Sequence, residues 1–165
     1  MSTSELVIDD VVAFFNPETF TTNMHILNDI VTAERIEDLE GADMVMYQHI
    51  KTPMIVSNRC SFALMWVIDT RAEDGTFISM STSKGTEAIL EANQAKVKKD
   101  VPSDTPITFT MCKDMGNGTL QFKEVICVDP MGSLPQMIKN KIATSNAEGL
   151  KKMIRHLIKQ KASAK

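Results

Sequence analysis

No stretch of this 165-residue chain is apolar for long enough to cross a bilayer, so no transmembrane helix is expected. The N-terminus, Met-Ser-Thr-Ser-Glu, lacks a basic segment followed by an apolar core and does not read as a secretory signal. There are only three cysteines, Cys60, Cys112 and Cys127, an odd number without metal-ligand spacing. They read as free thiols buried in strands, in the reducing setting of a cytoplasmic protein. The three histidines, His25, His49 and His156, share no metal-ligand spacing either. A Gly-x-Ser-x-Gly elbow, a Ser-His-Asp context and a phosphate-binding glycine loop are all missing. Asp9-Asp10 and Glu37-Asp38 are adjacent pairs whose side chains point apart, as caps and turns require rather than an acid/base dyad. No catalytic residue, metal or cofactor is therefore expected, and the chain reads as a non-enzyme.

What is present is an uneven distribution of charge. The chain holds 18 basic and 21 acidic side chains, a formal net charge of −3. Eight of the basic residues and a single acid, Glu148, fall from Lys139 onward, so an acidic body ends in a basic tail. The tail lacks interleaved aromatics and the body is acidic, which argues against nucleic acid as a partner. Leu150, Met153, Ile154, Leu157 and Ile158 in the same tail lie on one helical stripe. An amphipathic basic helix can bury that stripe on its own body, in a partner groove or at an anionic membrane surface. Twelve methionines are many, and methionine fills cores or lines irregular apolar cavities.

Along the chain, residues 4–15 read as an amphipathic helix capped by Ser4 and stopped by Asn16-Pro17. A second short helix follows to about Leu27. Period-two segments then predict about six strands in an antiparallel meander: Thr32–Leu39, Asp43–Lys51, Ser57–Asp69, Thr76–Ser83, Thr105–Lys113 and Thr119–Asp129. Both faces of the third strand turn apolar toward its end, which predicts cover on both sides there. Residues 85–104 form a long polar connection with room for a short helix or an irregular strand. Ser133 and Pro135 open a long final helix, with a weak point at Ser145-Asn146-Ala147 and Gly149 and a frayed end over 158–165. Strands followed by one long helix argue an α+β fold, with the helix across a curved antiparallel sheet and two short helices ahead of it. A gap between helix and sheet would be an apolar cavity for a small ligand.

Three segments carry a resemblance. Pro53-Met54-Ile55-Val56-Ser57-Asn58-Arg59 resembles the Pro-x-x-Val-Ser-x-Arg-Asp passage of START domains, the steroidogenic-acute-regulatory-related lipid-transfer family. Asp74-Gly75-Thr76-Phe77 resembles that family's turn before a central strand. Val128 to Pro135 resembles its Asp-x-Gly-Gly-x-(Ile/Leu)-Pro lead into the final helix. The order and spacing agree over residues 32–158. Cys60 stands where the family has an acid after the motif arginine, and Met65 where a second arginine often falls. Typical members also place a helix and strands ahead of the two short helices. The chain thus resembles a START domain shortened at its N-terminus, within the helix-grip, Bet v 1-like superfamily, over a single domain spanning 1–165.

The resemblance implies a lipid or sterol held under the C-terminal helix, with possible transfer between membranes. The implied cavity residues are Met44, Met46, Arg59, Met65, Ile78, Met80, Phe122, Met137, Ile138 and Ile142. The lid would comprise the loop at Pro53, Met54 and Ile55 and the helix stripe Leu150, Met153, Ile154 and Leu157. Lys139, Lys141, Lys151, Lys152 and Arg155 would meet an anionic membrane surface transiently. A buried Arg59 needs a partner, and Asp129, Glu124 and Glu34 are candidates. The inner strand faces are expected to offer few polar groups. A shortened sheet would leave an edge for a homodimer or a partner chain, so a ligand-free interaction or regulatory domain is the alternative.

Overall fold

The computed structural model describes residues 6–37, 39–53 and 56–163. Two short helices, α1 (Ile8–Phe14) and α2 (Phe20–Leu27), precede the strands β1 (Val31–Glu37), β2 (Met44–Ile50) and β3 (Arg59–Thr70). A single helical turn, α3 (Arg71–Asp74), leads to β4 (Thr76–Thr82). Helices α4 (Glu87–Ala92) and α5 (Gln94–Val97) and the two-residue strand β5 (Val101–Pro102) fill the polar connection. Strands β6 (Asp104–Asp114) and β7 (Leu120–Asp129) form the last hairpin, and α6 (Gln136–Ser163) closes the chain. The strand order is β1-β2-β3-β4-β6-β7, antiparallel throughout, and β5 adds in parallel to the start of β3. The six-strand meander and final helix predicted from sequence are therefore present, and the architecture is a helix-grip α+β fold.

Local chemistry explains the boundaries. The Val7 N–H donates to the Asp10 carboxylate at 3.0 Å, closing the first turn of α1. The predicted cap, Ser4, lies outside the described residues. Asn16 ends α1 and starts the next turn, its carbonyl accepting from Phe20 N–H at 2.8 Å and its side chain from Glu18 N–H at 2.9 Å. Asp74 holds the β3–β4 turn by accepting from the Thr76 and Thr70 hydroxyls at 2.8 and 2.9 Å. Those bonds, with Thr76 foremost, keep its carboxyl below the usual carboxylate range.

The sheet carries apolar clusters on both faces. The larger lies inside, where α1, α2 and the second half of α6 pack on Met44, Met46, Ala63, Met65, Phe77 and Cys112. The second lies outside, where Ile89 and Val97 of α4 and α5 cover Val45, Tyr47, Cys60, Phe62 and Leu64. Cover on both faces of β3 thus falls over its first seven residues, and its end is partly exposed, with Ile68 open to solvent. The reason is β5, whose pairing with Arg59 and Cys60 draws α4 and α5 to that end of the sheet. Cys60 and Cys112 are buried as expected, whereas Cys127 is exposed on the outer face of β7.

Helix α6 runs unbroken through Ser145 and Gly149 to Ser163, so neither the predicted weak point nor fraying from 158 is seen up to that residue. Two features account for this. A Cβ on Gly149 would lie 3.1 Å from the Leu27 carbonyl oxygen, so the glycine permits close approach of α2 rather than a bend. Lys161 pairs with Asp10 at 2.9 Å and Lys152 with Asp29 at 3.0 Å, tying the far half of the helix to α1 and to the α2–β1 link.

Candidate functional site

The two halves of α6 do different work. Met153, Ile154 and Leu157 are buried in the main core with Val11, Phe14 and Met24, and Leu150 packs against it. This stripe, proposed from sequence as part of a lid, is the anchor of the helix. The first half, 136–149, carries fewer apolar side chains, and Ile138 and Ile142 join Leu134 and Val56 in a small separate cluster. Here the helix stands off the sheet. Asn28, 7% exposed, holds it by donating to Asn146 Oδ1 at 3.0 Å and accepting from the Ser145 hydroxyl at 2.8 Å.

The space left between this half of α6 and the inner sheet face is a cavity of about 130 Å³. Phe15 and Phe20 stack at 5.3 Å and, with Met24, Met46, Met65 and Ile142, form apolar wall. Hydroxyls line the sheet side. Ser79 and Thr110 share one register row with Glu124, and Ser81 and Thr108 share the next with Ile126. The Ser81 and Thr108 hydroxyls bond to each other at 2.6 Å. Glu124, Ile126, Val128, Ile142 and Asn146 continue into an open groove of about 610 Å³ between β7 and α6, flanked by Lys139 and Ala143. The cavity therefore opens beside β7, which pairs only with β6 among the described residues.

Of the described residues, Glu124 is the one carboxylate in the cavity wall. Among the described residues it has no hydrogen bond or ion pair, and burial pushes its carboxyl up to about 7. This site was not legible in sequence, which put Ile78 and Met80 inward. Register places both on the outer face, because Met65 pairs with Ser81 and continues the inner face through Ser81 and Ser79. The inner faces are accordingly richer in polar groups than expected. A signal was available: Ser79, Ser81, Thr108, Thr110 and Glu124 alternate on three neighbouring strands.

The remaining expected cavity residues divide by position. Met46, Met65 and Ile142 line the cavity. Met44 and Phe122 belong to the adjoining core, Ile138 to the small cluster, and Met137 is 70% exposed. Arg59 is 3% exposed but does not line the cavity. None of the three carboxylates considered for it is its partner. Its Nε donates to the Pro130 carbonyl at 2.8 Å, Nη2 to Met131 at 3.1 Å, and Nη1 to Ser57. The guanidinium so clamps the β7–α6 link, in which Met131 and Gly132 take φ of 53° and 66°. Pro53 borders a shallow pocket with Ile30, Ile138 and Lys141. Met54 and Ile55 lie outside the described residues. Lys139, Lys141, Lys151 and Arg155 are exposed on α6, whereas Lys152 is engaged by Asp29.

No family model and no curated protein matches the chain. Solved structures do. Human STARD10 superposes over 96% of this chain and 61% of its own, at 19% identity and a TM-score of 0.70. Human StAR-related lipid transfer protein 5 covers 83% of this chain and 64% of its own, at 18% identity and a TM-score of 0.64. The chain carries the START fold. A STAR-related lipid transfer protein from Xanthomonas axonopodis, at 20% identity and a TM-score of 0.62, covers 93% of this chain and 80% of its own. The chain thus spans less than two thirds of the two human START proteins, and sequence identity this low speaks to the fold alone. Among the described residues of this START-fold chain, no helix is long and apolar enough to cross a membrane.

Proposed function

We propose that this chain binds a lipid or sterol between the first half of α6 and the inner sheet face, with the β7–α6 groove as its way in. The observation that carries the reading is the cavity itself, apolar at its α2 end and continuous with an open groove. A volume near 130 Å³ is in the range that takes up a benzene-sized group. A larger ligand would extend into the groove or require the first half of α6 to lift. Lifting is plausible for that half because its apolar anchorage is small, whereas the second half is fixed in the core. Each buried CH₂ of a lipid tail contributes about 0.8 kcal/mol, so binding needs no catalytic group. Exposed Lys139, Lys141, Lys151 and Arg155 would each add about 1 kcal/mol at an anionic leaflet, bringing the mouth to a membrane for transfer.

The test is uptake of a fluorescent sterol and of a fluorescent phospholipid by delipidated protein, compared with Ala143→Trp. Ala143 is exposed and borders the groove, so the indole would obstruct the mouth without entering the core. Uptake by the native chain and at least a tenfold loss in the variant are expected. No uptake of either probe, with no lipid recovered from purified protein, would sink the reading.

A second reading has its own observation. Beyond α4 and α5 the outer sheet face aligns Trp66, Met80, Phe109 and Val125 in one register row, with Val125 53% exposed. Exposed apolar area beside β7, whose outer edge is unpaired among the described residues, suits a protein interface. In this reading a second copy or partner chain covers β7, and light scattering on the eluted protein distinguishes a dimer from a monomer.

A further inference from the structure

The polar side of the cavity is asymmetric in chemistry. Ser81 and Thr108 satisfy each other, and Asn28 and Asn146 are paired across the α2–α6 contact. Glu124 alone is a charged group without a partner there, flanked at its own register by Thr110 and Ser79. Among the described residues, no Lys, Arg or His lines the cavity. The elements packed around it bring Phe20, Met24 and Leu27 from α2, Asn28 just after it and Gln48 from β2, none of them ionisable. Cys112 is the next inward group on β6, and among the described residues Lys139 is the one cation bordering the groove. Glu124 and Asn146 are the polar side chains that border both spaces, while Phe15, Phe20 and Met24 border only the inner one, and Asn146 is already bonded to Asn28, so a ligand with its tail among the aromatics has Glu124 free to meet its head.

We propose that Glu124 sets the ligand class: the cavity takes an amphiphile whose head donates hydrogen bonds, a hydroxyl or an amine, and rejects a carboxylate or phosphate head. This rests on the lipid-binding reading. A carboxyl accepts a hydrogen bond in either protonation state, so a hydroxyl head satisfies it in both. An ammonium head pairs with the ionised form. An anionic head there meets like charge, and the one cation near it among the described residues, Lys139, is exposed on the groove side rather than in the cavity wall. Thr110 and Ser79 supply hydroxyls that accept or donate a second bond to a small polar head.

Three amphiphiles with one tail isolate the head: oleyl alcohol, oleylamine and oleic acid, titrated into the full chain and read by native mass spectrometry. At pH 8 the alcohol or the amine is expected to bind at least about tenfold more tightly than the acid, and which of them leads identifies the donor. Glu124→Gln is expected to bring the three within about threefold, since an amide both donates and accepts. At pH 5.5, with Glu124 protonated, the acid's disadvantage should shrink in the native chain. The acid binding as tightly as the others at pH 8, or an unchanged ratio in Glu124→Gln, overturns this proposal and leaves the lipid-binding reading standing. Binding of none of the three overturns both. Thr110→Val, which keeps the carboxyl and the shape, should preserve rejection of the acid; loss of that rejection would assign it to the hydroxyl and refute the role of Glu124.

Discussion

Replacing Arg59 tests whether the closing helix is held by one buried cation. The guanidinium is 3% exposed and donates to three carbonyls, those of Ser57, Pro130 and Met131. Arg59→Met keeps most of the stem's volume and removes all three bonds. Hydrogen bonds to a charged group are worth about 1.5–3 kcal/mol each. Pro130 and Met131 lie near the surface, where water can partly replace the lost donor, so the lower figure applies to them. The expected loss is roughly 4–5 kcal/mol for Arg59→Met, three bonds at about the lower figure, and roughly 5–6 kcal/mol for Arg59→Ala, which also leaves a void. Arg59→Lys keeps the charge but not the planar fork, and a loss of about 2 kcal/mol follows. Urea unfolding by circular dichroism measures these values, and Tm should fall by about 2–4 °C per kcal/mol in a chain of this size. Since Arg59 does not line the cavity, sterol affinity well below Tm should change less than threefold. A loss under about 1 kcal/mol in Arg59→Met, or a collapse of binding in a folded variant, would refute the clamp.

Three other perturbations have signs fixed by the structure. Gly149→Leu should cost about 2–3 kcal/mol in denaturant unfolding, because helix propensity gains about 1 kcal/mol while the side chain is driven into the Leu27 carbonyl. An aryl disulfide reagent should titrate one thiol, Cys127, in native protein and three after denaturation. Burial raises Cys60 to about 11 and Cys112 to about 12, keeping both as unreactive thiols in the fold. Burial raises the folded carboxyl of Glu124 to about 7 from 4.5, so neutralising it favours folding. The native chain should then be most favoured below about pH 4.5 with respect to this group, and lose roughly 1–3 kcal/mol as pH rises through 7. Glu124→Gln should abolish that slope, and an identical pH profile in the variant would rule out the carboxyl as its source.

Much of the architecture was written locally. Alternation marked the strands, Asn16-Pro17 separated the first two helices, and the stripe from Leu150 to Ile158 marked the final one. Those signals survive folding because each reports an element that buries one face. The position of the anchor did not follow from the stripe, since apolar spacing says that a helix face is buried without saying whether it is a lid or a root. Nor did the partners of Arg59, because backbone carbonyls, two from the distant β7–α6 link and one from Ser57 close by, leave no side-chain signature. The interior of β4 was inverted for a related reason. Hydrophobicity assigns Ile78 and Met80 inward, but a sheet that faces a cavity on one side and a helical cover on only part of the other can turn its hydroxyls inward. Pairing of Met65 with Ser81 decided that orientation, and with it placed Glu124, seventy-eight positions after Met46, in the same wall. Sequence alone determined the two leading helices, the six main strands and the closing helix; only their register and the stand-off of α6 decided where a ligand could lie.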